Sequence, residues 1–168
     1  MRITRLHLRA YGHFTDHSLD FGPEPGLHLV YGANETGKST TLRALSSVLF
    51  GYPHEVVDGF KHDPKDIAIG ADLIANDGRR LSFIRKRRGK NTLANSDGTA
   101  LDESTVAGHL GGASQEMFEK VFALDHHRLH DHASALLAEG GSLGFSLAEA
   151  GSGVAGLKGV LDALRDER

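Results

Sequence analysis

The chain has 168 residues, 39% of them hydrophobic and 24% charged, with a formal net charge of −3 and no cysteine. That describes one globular domain with room for a core. It excludes disulfide and thiolate-metal chemistry, and no apolar run approaches the roughly 20 residues that span a bilayer. Any nucleic-acid contact would need a local basic patch, because the overall charge has the wrong sign.

Arg5-Leu6-His7-Leu8-Arg9 alternates polar and apolar residues, the pattern of a strand with one buried face. Gly12-His13 interrupts it, and Asp16 to Phe21 alternates again. The turn cluster Gly22-Pro23-Glu24-Pro25-Gly26 then leads into Gly26-Leu27-His28-Leu29-Val30-Tyr31, which reads as a third strand.

Gly32-Ala33-Asn34-Glu35-Thr36-Gly37-Lys38-Ser39 follows at once and fits the P-loop pattern G-x-x-x-x-G-K-[ST] at every fixed position. Lys38 to Phe50 reads as the helix that must follow, with Leu42, Leu45 and Leu49 on one face. Strand, glycine loop and helix together point to a nucleoside triphosphate site. Gly32 and Gly37 let the loop turn its N–H groups inward around the phosphates. The helix contributes its positive end. Lys38 would reach the β- and γ-oxygens, and Ser39 would give a hydroxyl to Mg²⁺. Asn34, Glu35 and Thr36 complete the cradle, and Thr40 falls near the α-phosphate.

Gly51-Tyr52-Pro53 stops the helix, and residues 54–66 are polar and read as loop. Residues 67–73 alternate, Asn76-Asp77-Gly78 marks a hairpin turn, and Leu81 and Phe83 sit on the return strand. Leu93 followed by Asp97-Gly98 suggests one more short strand and turn. An antiparallel sheet is therefore expected where a simple βαβ kinase would place a parallel strand.

The remainder reads as helical. Asp102 or Ser104 caps a helix ending at Gly111-Gly112, and Ser114 caps the next, whose Met117, Phe118, Val121 and Phe122 share a face. A further helix is expected near Leu129 to Glu139. A last one starts at Ser152, with Val154, Leu157, Leu161 and Leu164 at coiled-coil spacing. The expected division is a β-rich part over 1–101 carrying the P-loop, a helical part over 102–150, and a coiled-coil start over 151–168.

Two further clusters carry chemistry. Arg85, Lys86, Arg87, Arg88 and Lys90, with Arg79 and Arg80 nearby, could grip a phosphate backbone, or simply protect an edge strand from aggregation. His126 and His130 stand at i,i+4 among other histidines, a spacing that suits Zn²⁺ on a helix but also a plain polar helix start.

Arg2 to Leu8, Tyr11-Gly12-His13-Phe14 and Leu19-Asp20-Phe21 resemble the opening of SMC-like ATPases such as SbcC and RecF. The P-loop with Val48-Leu49-Phe50-Gly51, the stretch Arg88 to Leu93, and Phe118 to Leu129 are similar to the YhaN-like branch of that group. The resemblance implies an α/β fold: an ABC-ATPase-type lobe with a mixed sheet, an antiparallel β-subdomain and a helical second half. It implies a head split in sequence, in which a C-terminal lobe beyond a coiled coil brings the signature segment, the Walker B aspartate and the catalytic base. Among the residues here it places His13 near the nucleotide, in place of a common arginine, and Asp125 or His126 at a metal-contacting loop where relatives carry glutamine. The implied cofactors are ATP and Mg²⁺. The implied partners are the C-terminal lobe, a second head engaged on ATP, DNA, and an SbcD-like metallophosphoesterase, in a cytoplasmic, nucleoid-associated setting. A compact P-loop phosphotransferase, and a non-hydrolysing DNA- or metal-binding module with a relict P-loop, are the competing readings.

Overall fold

A computed structural model describes residues 1–123, and apart from a π-helical turn over Phe118–Phe122 every element below lies in the compact unit Met1–Phe118. Five strands form one sheet in the order β2-β1-β3-β4-β5: β1 Arg2–Tyr11, β2 Phe14–Asp20, β3 Ala68–Ile74, β4 Arg80–Lys86 and β5 Leu93–Asn95. All four pairings are antiparallel. Three helices accompany the sheet: α1 Lys38–Phe50, α2 Glu103–Leu110 and the single turn α3 Gln115–Met117.

The register sorts side chains by the two-residue period of a strand. Leu6 pairs with Ala71, Leu8 with Ile69, Ala71 with Phe83 and Leu73 with Leu81. These face α1 and α2 and form the core with Ala44, Val48, Leu49, Ile67, Leu93 and Val106. Arg5, His7, Asp72, Ser82 and Lys86 alternate with them and occupy the opposite, uncovered face.

Two tight turns on the sheet are built alike. In Asn76-Asp77-Gly78 the Asp77 carboxylate accepts from the N–H of Arg79 at 3.1 Å, and Gly78 has φ 85°. In Ser96-Asp97-Gly98 Asp97 accepts from the N–H of Thr99 at 2.8 Å, and Gly98 has φ 89°. Glycine is needed at both third positions because the backbone enters the left-handed region. Asp102 caps α2 through the N–H of Ser104, and Ser114 caps α3 through that of Met117.

Three expectations change. Gly26 to Tyr31 is not a strand: it pairs with no strand among the described residues, and Leu27 and Tyr31 are 96% and 86% exposed. The mixed sheet is accordingly absent from the described residues, since a parallel strand would have to come from that segment or from elsewhere. Helix α1 buries Thr40, Thr41, Ala44, Ser47, Val48 and Leu49, so of the expected leucine face only Leu49 is in the core. Small residues let the helix axis lie close to the sheet, and Leu42 and Leu45 are only half-buried at its flank. The helices expected beyond residue 123, the coiled-coil start and the division drawn through them lie outside the described residues.

The turn carboxylates give the fold an acid limit. Asp77 and Asp97 are held below their ordinary range chiefly by the backbone N–H groups they accept from, and Asp102 by its hydrogen bonds to Ser104. A depressed folded value means the contribution is complete above the unfolded value and is lost as pH falls through the folded one. Urea titrations should therefore show stability falling below about pH 4. An Asp77→Asn, Asp97→Asn double variant, which keeps both turns, should show a shallower fall.

Candidate functional site

The loop Gly32 to Ser39 runs over the N-terminus of α1, with Gly37 in the cap position at φ 95° and no side-chain cap bond. No acidic residue stands in the first helical turn. The helix therefore presents unsatisfied N–H groups and an uncompensated positive end to whatever enters the loop. Lys38 folds back: its Nζ donates to the carbonyls of Gly32 at 2.8 Å and Ala33 at 2.6 Å. The Thr36 hydroxyl also donates to Ala33, at 2.9 Å, and Glu35 takes a left-handed backbone with φ 67°.

The loop is closed on one side by the β1–β2 turn. Glycine is favoured at Gly37 by its φ of 95°, and a Cβ there would push aside the rings of His13 and Phe14, lying 2.7 Å from Phe14 Cε2. His13 and Phe14 have ring centroids 4.0 Å apart. Their turn is held in turn by residues 58–62. Lys61 Nζ donates to the carbonyl of His13 at 2.9 Å, and the His62 ring bonds that of Phe14 at 2.7 Å.

Below the loop, Asp58 ties three elements together. Its side chain is 3% exposed and accepts from Thr40 Oγ1 at 3.1 Å and from Arg43 through Nε at 2.6 Å and a second guanidinium nitrogen at 2.7 Å. Its carbonyl accepts from the N–H of Gly12 at 2.8 Å. Gly12 has φ 59°, and a Cβ there would lie 2.5 Å from Thr40 Cγ2, so β1 can pass α1 this closely only with glycine. Burial raises the neighbouring Tyr11 phenol to about 12, so it stays protonated and bonds Ser47 Oγ at 3.5 Å.

These pieces surround an open hollow of about 460 Å³ lined by His13, Asn34, Glu35, Gly37, Lys38, Ser39, Thr40 and Phe60. Its chemistry is that of a phosphate cradle: backbone donors, one lysine and hydroxyls. Glu35 is the one carboxylate among the described residues that line it. Ser39 is the hydroxyl suited to hold Mg²⁺, while Asp125 and His126 lie outside the described residues. Phe60, Asp58 and Lys61 went unrecognised in a stretch read as plain loop. The signal available was Gly59-Phe60-Lys61, the one aromatic in a segment whose other apolar side chains, apart from Pro64, are Val56 and Val57.

The basic cluster divides. Arg85 is 4% exposed, with its guanidinium on the Glu103 carboxylate, 2.8 Å at one nitrogen, and its Nε on the Val48 carbonyl at 3.0 Å. It joins α1 to α2 from within and is not available to a phosphate backbone. The cause is register: Arg85 pairs with Ile69 on the core face, and Lys86, one residue on, faces out. Arg87 donates to the His54 carbonyl at 3.2 Å, and Lys86, Arg88 and Lys90 are exposed.

Removing Arg43 would strand the Asp58 carboxylate beneath the loop. Arg43→Ala should destabilise the chain by about 3 kcal/mol in urea titrations. Arg43→Ala with Asp58→Ala should cost clearly less than the sum of the two single changes.

The family model described as "AAA domain" matches residues 1–168. The chain is also similar to "Uncharacterized protein YhaN" of Bacillus subtilis (strain 168), 30% identical over 92 residues. That alignment covers 55% of this chain and 9% of the much longer relative. No helix among the described residues is long and apolar enough to cross a membrane. A P-loop that reads straight from the residues and a match over the whole length agree: the chain belongs to the AAA-domain family of P-loop NTPases, on its YhaN-like branch.

Proposed function

We propose that this chain is the ATP-cradling N-terminal half of a split SMC/SbcC-like ATPase head. The observation that carries the reading is a fully equipped phosphate loop with half a site around it. Lys38 and Ser39 stand ready, yet Glu35 is the sole carboxylate among the described lining residues, and it sits in the loop itself. Next to the loop, Leu27, Leu29 and Tyr31 are exposed on an unpaired segment of strand-like composition. Apolar residues in that alternation bury themselves when a neighbouring strand arrives. A C-terminal lobe of the same protein would supply that strand, the metal-holding acid and the base. A second head would then close on ATP, and Ser39 is the residue that would offer its hydroxyl to a Mg²⁺ offsetting the phosphate charge. A compact phosphotransferase would instead carry its own parallel strand beside the loop, which the described residues lack.

Calorimetry with Mg²⁺-ATP on this chain should show binding that Lys38→Ala abolishes, with hydrolysis near the uncatalysed level. Robust turnover by the isolated chain would overturn the half-site reading. Equal absence of binding in both proteins would remove the nucleotide.

The reading extends to DNA, in a chromosome-maintenance or repair role, through a surface that differs from the basic cluster as a whole. Arg9, Lys86 and Lys90 line an open hollow of about 460 Å³ on the sheet face that no described helix covers, with Asn91, Asn95, Ser96 and one carboxylate, Asp97, which is engaged by the N–H of Thr99. None of the three cations is in an ion pair among the described residues. Such a set suits a phosphate backbone without reading bases. An SbcD-like metallophosphoesterase partner follows from the resemblance alone. Changing Lys86 and Lys90 to glutamate should weaken duplex binding and reduce the slope of log K against log salt by about 2. An unchanged slope would move the DNA contact elsewhere.

A further inference from the structure

Phe60 is a large aromatic side chain 72% exposed to solvent, on a segment that is anything but loose. Two residues before it, Asp58 is bonded to Gly12, Thr40 and Arg43. One and two residues after it, Lys61 and His62 are bonded to the carbonyls of His13 and Phe14. The backbone is thus fixed on both sides of a ring left in water, where its apolar surface is unfavourable. That ring lines the same hollow as Lys38, Ser39 and Thr40.

The direction of the loop says which part of a ligand would meet it. In a P-loop the lysine lies at the β/γ end, and the chain then enters the helix toward the α-phosphate. Thr40 is the residue beyond Ser39 in that direction, and its hydroxyl bonds Asp58 at 3.1 Å. Phe60 follows Asp58 by two residues, so its segment is tied to the Thr40 side of the hollow, where a nucleoside would leave the phosphates. His13 lines the hollow too, but its ring packs at a tilt against Phe14, with centroids 4.0 Å apart, and lies against Gly37.

We propose that the nucleobase stacks on the Phe60 ring, so that this loop residue makes the site prefer nucleoside triphosphates to bare triphosphate. The proposal rests on the P-loop reading and adds a ligand contact outside the loop. Every base has a π-face, so stacking on a phenyl ring selects for a base without selecting strongly among bases. Asp58, Lys61 and His62 act as positioning residues for the ring.

The test is calorimetry on the intact chain with Mg²⁺-ATP, Mg²⁺-GTP and Mg²⁺-tripolyphosphate. The proteins are the wild type, Phe60→Ala, Phe60→Tyr and Lys38→Ala. Phe60→Ala should lose about tenfold in affinity for both nucleotides and nothing for tripolyphosphate, and Phe60→Tyr should keep wild-type affinities. Unchanged ATP affinity in Phe60→Ala overturns the proposal. So does an equal loss for tripolyphosphate, which would mean that the ring only supports the loop. Failure of the wild type to bind either ligand, with Lys38→Ala indistinguishable from it, would overturn the P-loop reading and the stacking with it. Tripolyphosphate binding that depends on Lys38 but is as tight as ATP binding would overturn the stacking alone.

Discussion

The carboxylate of Asp58 is the point on which the geometry of the phosphate loop depends. It is almost fully buried, so it must be paired, and its partners come from different parts of the chain: Thr40 and Arg43 from α1, and, through its carbonyl, Gly12 from the end of β1. The carboxylate is satisfied by α1 and the carbonyl of the same residue by the end of β1, so one residue fixes where these segments meet. The loop itself has no such constraint, being open to solvent over most of its length. Its shape is imposed from below by Asp58 and from the side by the His13–Phe14 turn.

A second buried charge does similar work at the other end of α1. Arg85 bonds the Val48 carbonyl near the C-terminus of the helix, where the dipole is negative, and reaches Glu103 at the start of α2. Tyr52 closes the arrangement by donating its hydroxyl to the Arg85 carbonyl at 3.0 Å, and burial pushes that phenol far above its ordinary range. The helix that begins at the phosphate loop is thus held near its start by the Arg43–Asp58 ion pair to the following loop and near its end by the hydrogen bond from Arg85 of β4. Between them, small residues lie flat on the strands.

Local signals were strong enough to read most of the described fold from the residues. The P-loop helix begins at Lys38 and ends at Phe50, where Gly37 and Gly51 mark it, and the hairpin turns fall on Asp77-Gly78 and Asp97-Gly98. Asp102 and Ser114 cap the helices that their side chains suggested. What misled was context that no local pattern carries. Leu27 to Tyr31 has the composition of a strand, but a strand needs a neighbour, and none is present among the described residues. Arg85 belongs to a run of cations by composition, yet a two-residue period places it inside and Lys86 outside. The segment around Asp58 looked like featureless loop because its role rests on contacts with residues 15 to 48 positions away.

Lys38 gives the loop a character of its own. With its ammonium on the carbonyls of Gly32 and Ala33, the cation is already satisfied before any ligand arrives. A phosphate in the cradle would compete with those two carbonyls for the same ammonium. The binding free energy is then the difference between two good solvations of the same ammonium. Under the function proposed above, a singly charged anion would gain little from that exchange of partners, and a ligand carrying several charges along the loop would gain most.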